Sequence, residues 1–196
     1  MELFSSVFLL LLVVVPTTTT CKPSSTLEDA CRSFAVGHPS IGYDYCIKTF
    51  QAADKASAAA ADLRGLAAIA ARIAGAKANA TAARVAALSA MERDARRRDR
   101  LAVCAEVYSD AVDQLSQAAE DLVRGEGDGG AGDAVTQLSA AMDAAGTCED
   151  AFGEADDTSP LAAEDAEFKK LATIALAVAA SLMTPPPPST PIEAKN

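Results

Sequence analysis

Few residues in this 196-residue chain could do chemistry: one histidine, five cysteines and some adjacent acids. His38 sits beside Pro39, far in sequence from any candidate Ser or Cys nucleophile, so a nucleophile, base and acid triad is not expected. Glu149-Asp150 and Asp156-Asp157 pair carboxylates, but adjacent residues on a helix point ~100° apart. They cannot flank one bond as a general acid and base must, and they read as surface acids. The run 125–132 is Gly-rich but lacks a Lys-Ser/Thr end and a preceding strand, so it reads as a flexible interhelix turn and not a phosphate cradle. One His, cysteines that can pair with one another and scattered acids give no ligand set of recognisable spacing, so neither a metal nor another cofactor is expected. The chain does not read as an enzyme. The side chains left with covalent chemistry are the cysteines and Asn79, which opens the glycosylation acceptor Asn79-Ala80-Thr81.

Both depend on the compartment. Residues 1–20 carry an apolar run at 7–15, then Pro16 and four threonines. The run is shorter than the ~20 residues a membrane span needs, and the segment reads as a secretory signal cleaved near Thr18 to Thr20. The mature chain is therefore expected outside the cell, with no membrane attachment after the signal is removed. There the cysteines at 21, 31, 46, 104 and 148 are free to oxidise. The odd count leaves Cys21 either lost with the signal, unpaired at the mature N-terminus, or bridged to another molecule.

The elements that must position these groups follow from composition and spacing. Half the residues are apolar, 5% are aromatic and Trp is absent. With Ala-rich stretches such as 56–61, this favours one all-α domain, placed at 21–183. Thr26 is a candidate N-cap with acids following it. Gly37-His38-Pro39-Ser40 then breaks the helix, and 43–50 restarts one, giving a small hairpin. Closing that hairpin would pair Cys31 with Cys46, a bridge worth ~3 kcal/mol. Four longer patterns follow. In the second, Leu101, Cys104, Tyr108, Ala111, Leu115, Ala118 and Leu122 step by three and four. The third reads Val135, Leu138, Met142, Ala145, Cys148 or Glu149, and Phe152; the fourth reads Phe168, Leu171, Ala175, Val178 and Leu182. The first, from Leu63 to Leu88, is blurred by alanine. Ser159-Pro160 supplies an N-cap and first-turn proline for the last helix. Four antiparallel helices fit these signals. Cys104 and Cys148 would each stand ~30 Å from the Gly-rich turn on neighbouring helices, side by side, and closing so long a loop contributes on the order of 4 kcal/mol.

Residues 171–183 form too short an apolar stretch for an anchor, and the proline-rich tail 184–196 reads as a disordered, solvated extension. The formal charge of −10 argues against nucleic-acid binding. Residues 91–100 hold five Arg against three acids without interleaved aromatics, and read as a solvated helix face. Eleven acids against Arg124 in 120–157 place the acidity at one end of the fold. A stiff, disulfide-pinned bundle without a reactive centre points to binding another macromolecule.

Over residues 27–183 the chain resembles the plant invertase and pectin methylesterase inhibitors. The resemblance rests on the signal peptide, the Cys31 and Cys46 hairpin with Tyr43-Asp44-Tyr45-Cys46, the pair Cys104 and Cys148, and the absence of catalytic groups. Within the family, the pectin methylesterase inhibitors are most similar, at Tyr108-Ser109-Asp110-Ala111-Val112-Asp113 and at 143–152. The Pro-Lys-Phe hook common among the invertase inhibitors is replaced by Glu126-Gly127-Asp128-Gly129-Gly130. The resemblance implies a four-helix bundle with an N-terminal hairpin and two disulfides. It also implies a stoichiometric inhibitor, monomeric when free, that covers the pectin-binding cleft of pectin methylesterase. Acid invertase is the alternative target. Thr147 matches an interfacial position of the family, and Asp110, Asp113, Gln114 and Asp143 are polar candidates on neighbouring exposed faces. A non-inhibitory wall or pollen-type surface protein, tethered by its proline tail, is the alternative from another class.

Overall fold

The computed structural model describes residues 25–125 and 128–184. The signal segment 1–20, Cys21 and the tail from Pro185 lie outside the described residues. Six helices are present: α1 Thr26–Gly37, α2 Gly42–Ala60, α3 Leu63–Met91, α4 Ala95–Arg124, α5 Asp128–Gly153 and α6 Ala162–Ser181. The long helices α3 to α6 form the bundle, α3 packing on α4 and α6, and α5 on α4 and α6. α1 and α2 pack on each other, and α1 rests against one end of α3 and α6. Among the described residues the fold is all-α, with the N-terminal hairpin and two disulfides that the sequence led us to expect.

Local chemistry explains the helix ends. Ser25, and not Thr26, caps α1: its hydroxyl accepts from the Glu28 amide while the Glu28 carboxylate accepts from the Ser25 amide. Asp62 and Asp94 cap α3 and α4 through carboxylates that accept from Gly65 and Arg97. Ser159 does not cap α6. The Ser159 hydroxyl accepts from the Leu161 amide, so Ser159-Pro160 shapes the approach turn and the helix begins at Ala162, with no side-chain cap at Leu161. At the other turn, α4 stops at Gly125, yet Gly129, Gly130 and Gly132 belong to the first turns of α5 and not to a long loop. α2 also continues beyond Phe50, interrupted by non-helical backbone at Asp54.

The core is unusual in its reliance on alanine. From α3 it takes Ala67, Ala68, Ala70, Ala71, Ala74 and Ala78, all buried, beside Leu66 and Val85. Small side chains let the helix axes approach closely, so α3 contributes proximity while its partners contribute bulk. That bulk is Tyr108 and Leu115 from α4, Phe152 from α5 and Phe168 from α6, each fully buried. The Tyr108 and Phe168 rings meet edge to face with centroids 5.3 Å apart.

Two expectations about charge are corrected. The Arg-rich run is not simply a solvated face. Glu92 to Asp94 form the turn into α4, and Arg97 and Arg100 both bind Asp157 in the loop after α5. These groups are half-buried, and Arg97 also lies 5.6 Å from the Phe152 ring centroid, so the cluster latches the start of α4 to the α5–α6 turn. Nor do the acids gather at one end. Asp133, Asp143, Asp150 and Asp157 are strung along the whole length of α5 and into the turn beyond it.

Candidate functional site

Antiparallel packing of α4 and α5 decides which polar residues can act together. Cys104 and Cys148 are bonded with Cα atoms 4.6 Å apart, and the Gln137 amide donates to the Gln117 side-chain oxygen at 3.2 Å. Between these two cross-links the register is fixed, and it sets Asp143 across from Asp110. At ~100° per residue, Asp110, Gln114 and Gln117 share the α5-facing flank of α4, with Asp113 on its outer edge. The same arithmetic places Thr147 on the α4-facing flank of α5 and Asp143 close to its outward line. Asp110, Asp113, Asp143 and Thr147 are exposed and Gln114 is half-buried, so the five form one outward strip along the α4–α5 seam.

Sequence reasoning missed part of this strip. Val103, 37% exposed, and the half-buried Val107 add an apolar patch near Thr147, and the Gln117–Gln137 pair closes the far end. Val103 and Val107 fall off the three-and-four stripe that picks out the core, which is the signal that could have found them. Among the described residues none of Glu106, Asp110, Asp113 or Asp143 has a basic partner. The strip therefore presents uncompensated negative charge around a small apolar centre, held on two helices joined covalently at Cys104 and Cys148. A preformed surface of this kind loses little entropy when a partner covers it.

The adjacent acid pairs behave differently from the surface acids expected of them. Asp150 is exposed, but Glu149 turns inward toward Asp165, which is only 2% exposed. The Tyr108 hydroxyl donates to one Asp165 oxygen, while Asp165 Oδ2 and Glu149 Oε1 have no hydrogen-bond partner. Burial first, then the neighbouring Glu149 carboxyl, pushes the Asp165 carboxyl up to about 7. Burial and the Asp165 contact raise the Tyr108 hydroxyl as well. Asp156 is exposed, whereas its neighbour Asp157 belongs to the arginine latch. His38 stacks on Phe34 with ring centroids 4.7 Å apart. Cys31 and Cys46 pin the hairpin it belongs to, with Cα atoms 5.6 Å apart. Asn79 is exposed on α3, away from the α4–α5 strip. Among the described residues no group of three or more His, Cys, Asp or Glu could hold a metal ion, and no helix is long and apolar enough to cross a membrane.

Comparison with known proteins places this architecture. A pectinesterase inhibitor of Actinidia deliciosa is 38% identical over 94 residues, 48% of this chain and 49% of its own length. A Platanus orientalis protein, provisionally named an invertase inhibitor, is 28% identical over 153 residues, 78% of this chain and 86% of its own. The crystal structure of a mutant form of an Arabidopsis pectin methylesterase inhibitor superposes with a TM-score of 0.63 at 23% identity, covering 80% of this chain and 97% of that one. That likeness is one of fold. The sequence profile described as plant invertase/pectin methylesterase inhibitor matches residues 18–178, ending in the last turns of α6. With bundle, hairpin and both disulfides inside the matched span, this chain belongs to the plant invertase/pectin methylesterase inhibitor family.

Proposed function

We propose that this chain is a secreted inhibitor of pectin methylesterase, not itself an enzyme, and that it forms a stoichiometric complex through the α4–α5 strip. One observation carries the reading: Thr147, Asp143, Asp110, Asp113 and Gln114 lie together on the seam of two covalently joined helices. A stiff acidic ridge with a small apolar centre can seat across the rim of a polysaccharide-binding cleft, and inhibition is then steric. The pectinesterase inhibitor named for Actinidia supports this target.

Acid invertase is the second reading, favoured by the Platanus relative. Paired assays separate the two. The mature protein should slow methanol release from methylated pectin by a plant esterase and leave sucrose hydrolysis by acid invertase unchanged; the reverse pattern selects invertase. Failure in both assays, together with wall binding that requires the proline tail, would select the non-inhibitory wall protein.

Thr147→Trp places an indole on the strip where a small side chain now stands, and should weaken inhibition about tenfold, or roughly 1.4 kcal/mol. An unchanged inhibition constant for this variant moves the interface off the seam.

A further inference from the structure

On the opposite flank of α4 from the strip lies a groove of about 630 Å³ between α3 and α4, lined by Arg72, Gly75, Ala76, Val112, Ser116 and Glu120 with Asn79 on its wall. Asn79 is exposed, and its side-chain amide makes no hydrogen bond among the described residues. Thr81, two residues on, is fully buried, and its hydroxyl donates at 3.0 Å to the Lys77 carbonyl of its own helix. A hydroxyl turned back on its own turn adds little to helix stability, and this one sits in a core stretch otherwise made of alanine and valine. The packing therefore needs the volume at this position but not the oxygen. The acceptor motif Asn79-Ala80-Thr81 does need it, because the transferring enzyme reads the third-position hydroxyl.

We propose that Asn79 carries an N-linked oligosaccharide whose first N-acetylglucosamine lies in the α3–α4 groove. The transfer joins the Asn79 amide nitrogen to the anomeric carbon of a lipid-linked oligosaccharide. It breaks that carbon's bond to the lipid diphosphate, which leaves with the proton the amide gives up. With Thr81 buried in the finished bundle, transfer precedes the folding of α3. The groove then offers the sugar Val112 and Ala76 for its apolar face, with Arg72, Ser116 and Glu120 for its hydroxyls. A glycan there covers the α3–α4 face and leaves the α4–α5 strip open.

The inference does not require the inhibitor reading, and its test uses no target enzyme. The full chain, expressed in a eukaryotic secretory host, should show by intact mass one glycan that peptide N-glycosidase removes. Asn79→Gln and Thr81→Val should abolish it, while Thr81→Ser should retain it. Thr81→Val keeps the buried volume, so its circular dichroism spectrum should match the parent. In the glycoprotein, nuclear Overhauser contacts should link the acetyl methyl of the first sugar to the Val112 methyls. A secreted chain with unmodified mass overturns the proposal, and a glycan without contacts to Val112 overturns its seating in the groove.

Discussion

Replacing Cys104 and Cys148 together by alanine should lower the stability of the bundle by about 4 kcal/mol and its melting temperature by roughly 8 to 16 °C. The bond closes 44 residues, the larger part of α4 and α5 with the turn between them, and both sulfurs are fully buried in the core. Opening it gives the unfolded chain a large increase in conformational freedom and leaves small voids between the helices. The hairpin bond closes only 15 residues, at a structure that touches one end of the bundle. Replacing Cys31 and Cys46 removes ~3 kcal/mol of loop-closure entropy by the same relation, but much of that loss is local. α1 and α2 can open without melting α3 to α6. The second double variant should therefore speed amide exchange throughout the hairpin while moving the main calorimetric transition by less than half as much. Equal shifts for the two variants would show that hairpin and bundle unfold as one unit.

The difference between the two bonds was legible in the residues, because both pairings follow from where the chain turns. Cys31 and Cys46 flank a Pro-containing break, and Cys104 and Cys148 stand nearly equidistant from a glycine cluster. The α4 stripe was equally legible: every position named from Leu101 to Leu122 is buried. α3 was not, since alanine is as much a helix former on the surface as in the core, and periodicity fades when both faces carry it. Helix starts were displaced by a residue or two because Ser25 competes with Thr26 for the same amides, and Ser159 spends its hydroxyl on a turn. The strip on the α4–α5 seam was legible only through the family resemblance. Nothing in the spacing of Thr147 or Asp110 distinguishes them from ordinary surface; a cross-helix register is needed to bring them together.

Asp165 was hidden for a different reason, and it leads to the second large effect. In the sequence it is one more acid in the first turn of a helix, where the dipole favours negative charge. Only its partners make it unusual: Tyr108 from α4, Glu149 from α5, and Glu164 beside it on α6, with Lys169 of α6 on the wall of the same cavity. An aspartate raised from 3.8 to about 7 binds more protons in the folded than in the unfolded chain between those values. Its contribution is therefore fully present below about pH 4 and is lost as pH rises through about 7. The loss is on the order of 4 kcal/mol. The carboxylates held low by hydrogen bonds, at Asp54, Glu92 and Asp94, have the opposite sign. Their contribution is lost only as pH falls below the usual carboxylate range, so the two windows do not overlap. Asp165→Asn supplies an amide oxygen to accept from Tyr108 and an NH₂ group to donate to Glu149 at any pH. In urea titrations it should abolish the decline between pH 4 and pH 7 and be more stable than the parent at pH 7.5, whereas the two chains should converge near pH 4. A parent stability that stays level or climbs across this interval would mean that Asp165 is ionised in the fold, and that the core tolerates its charge.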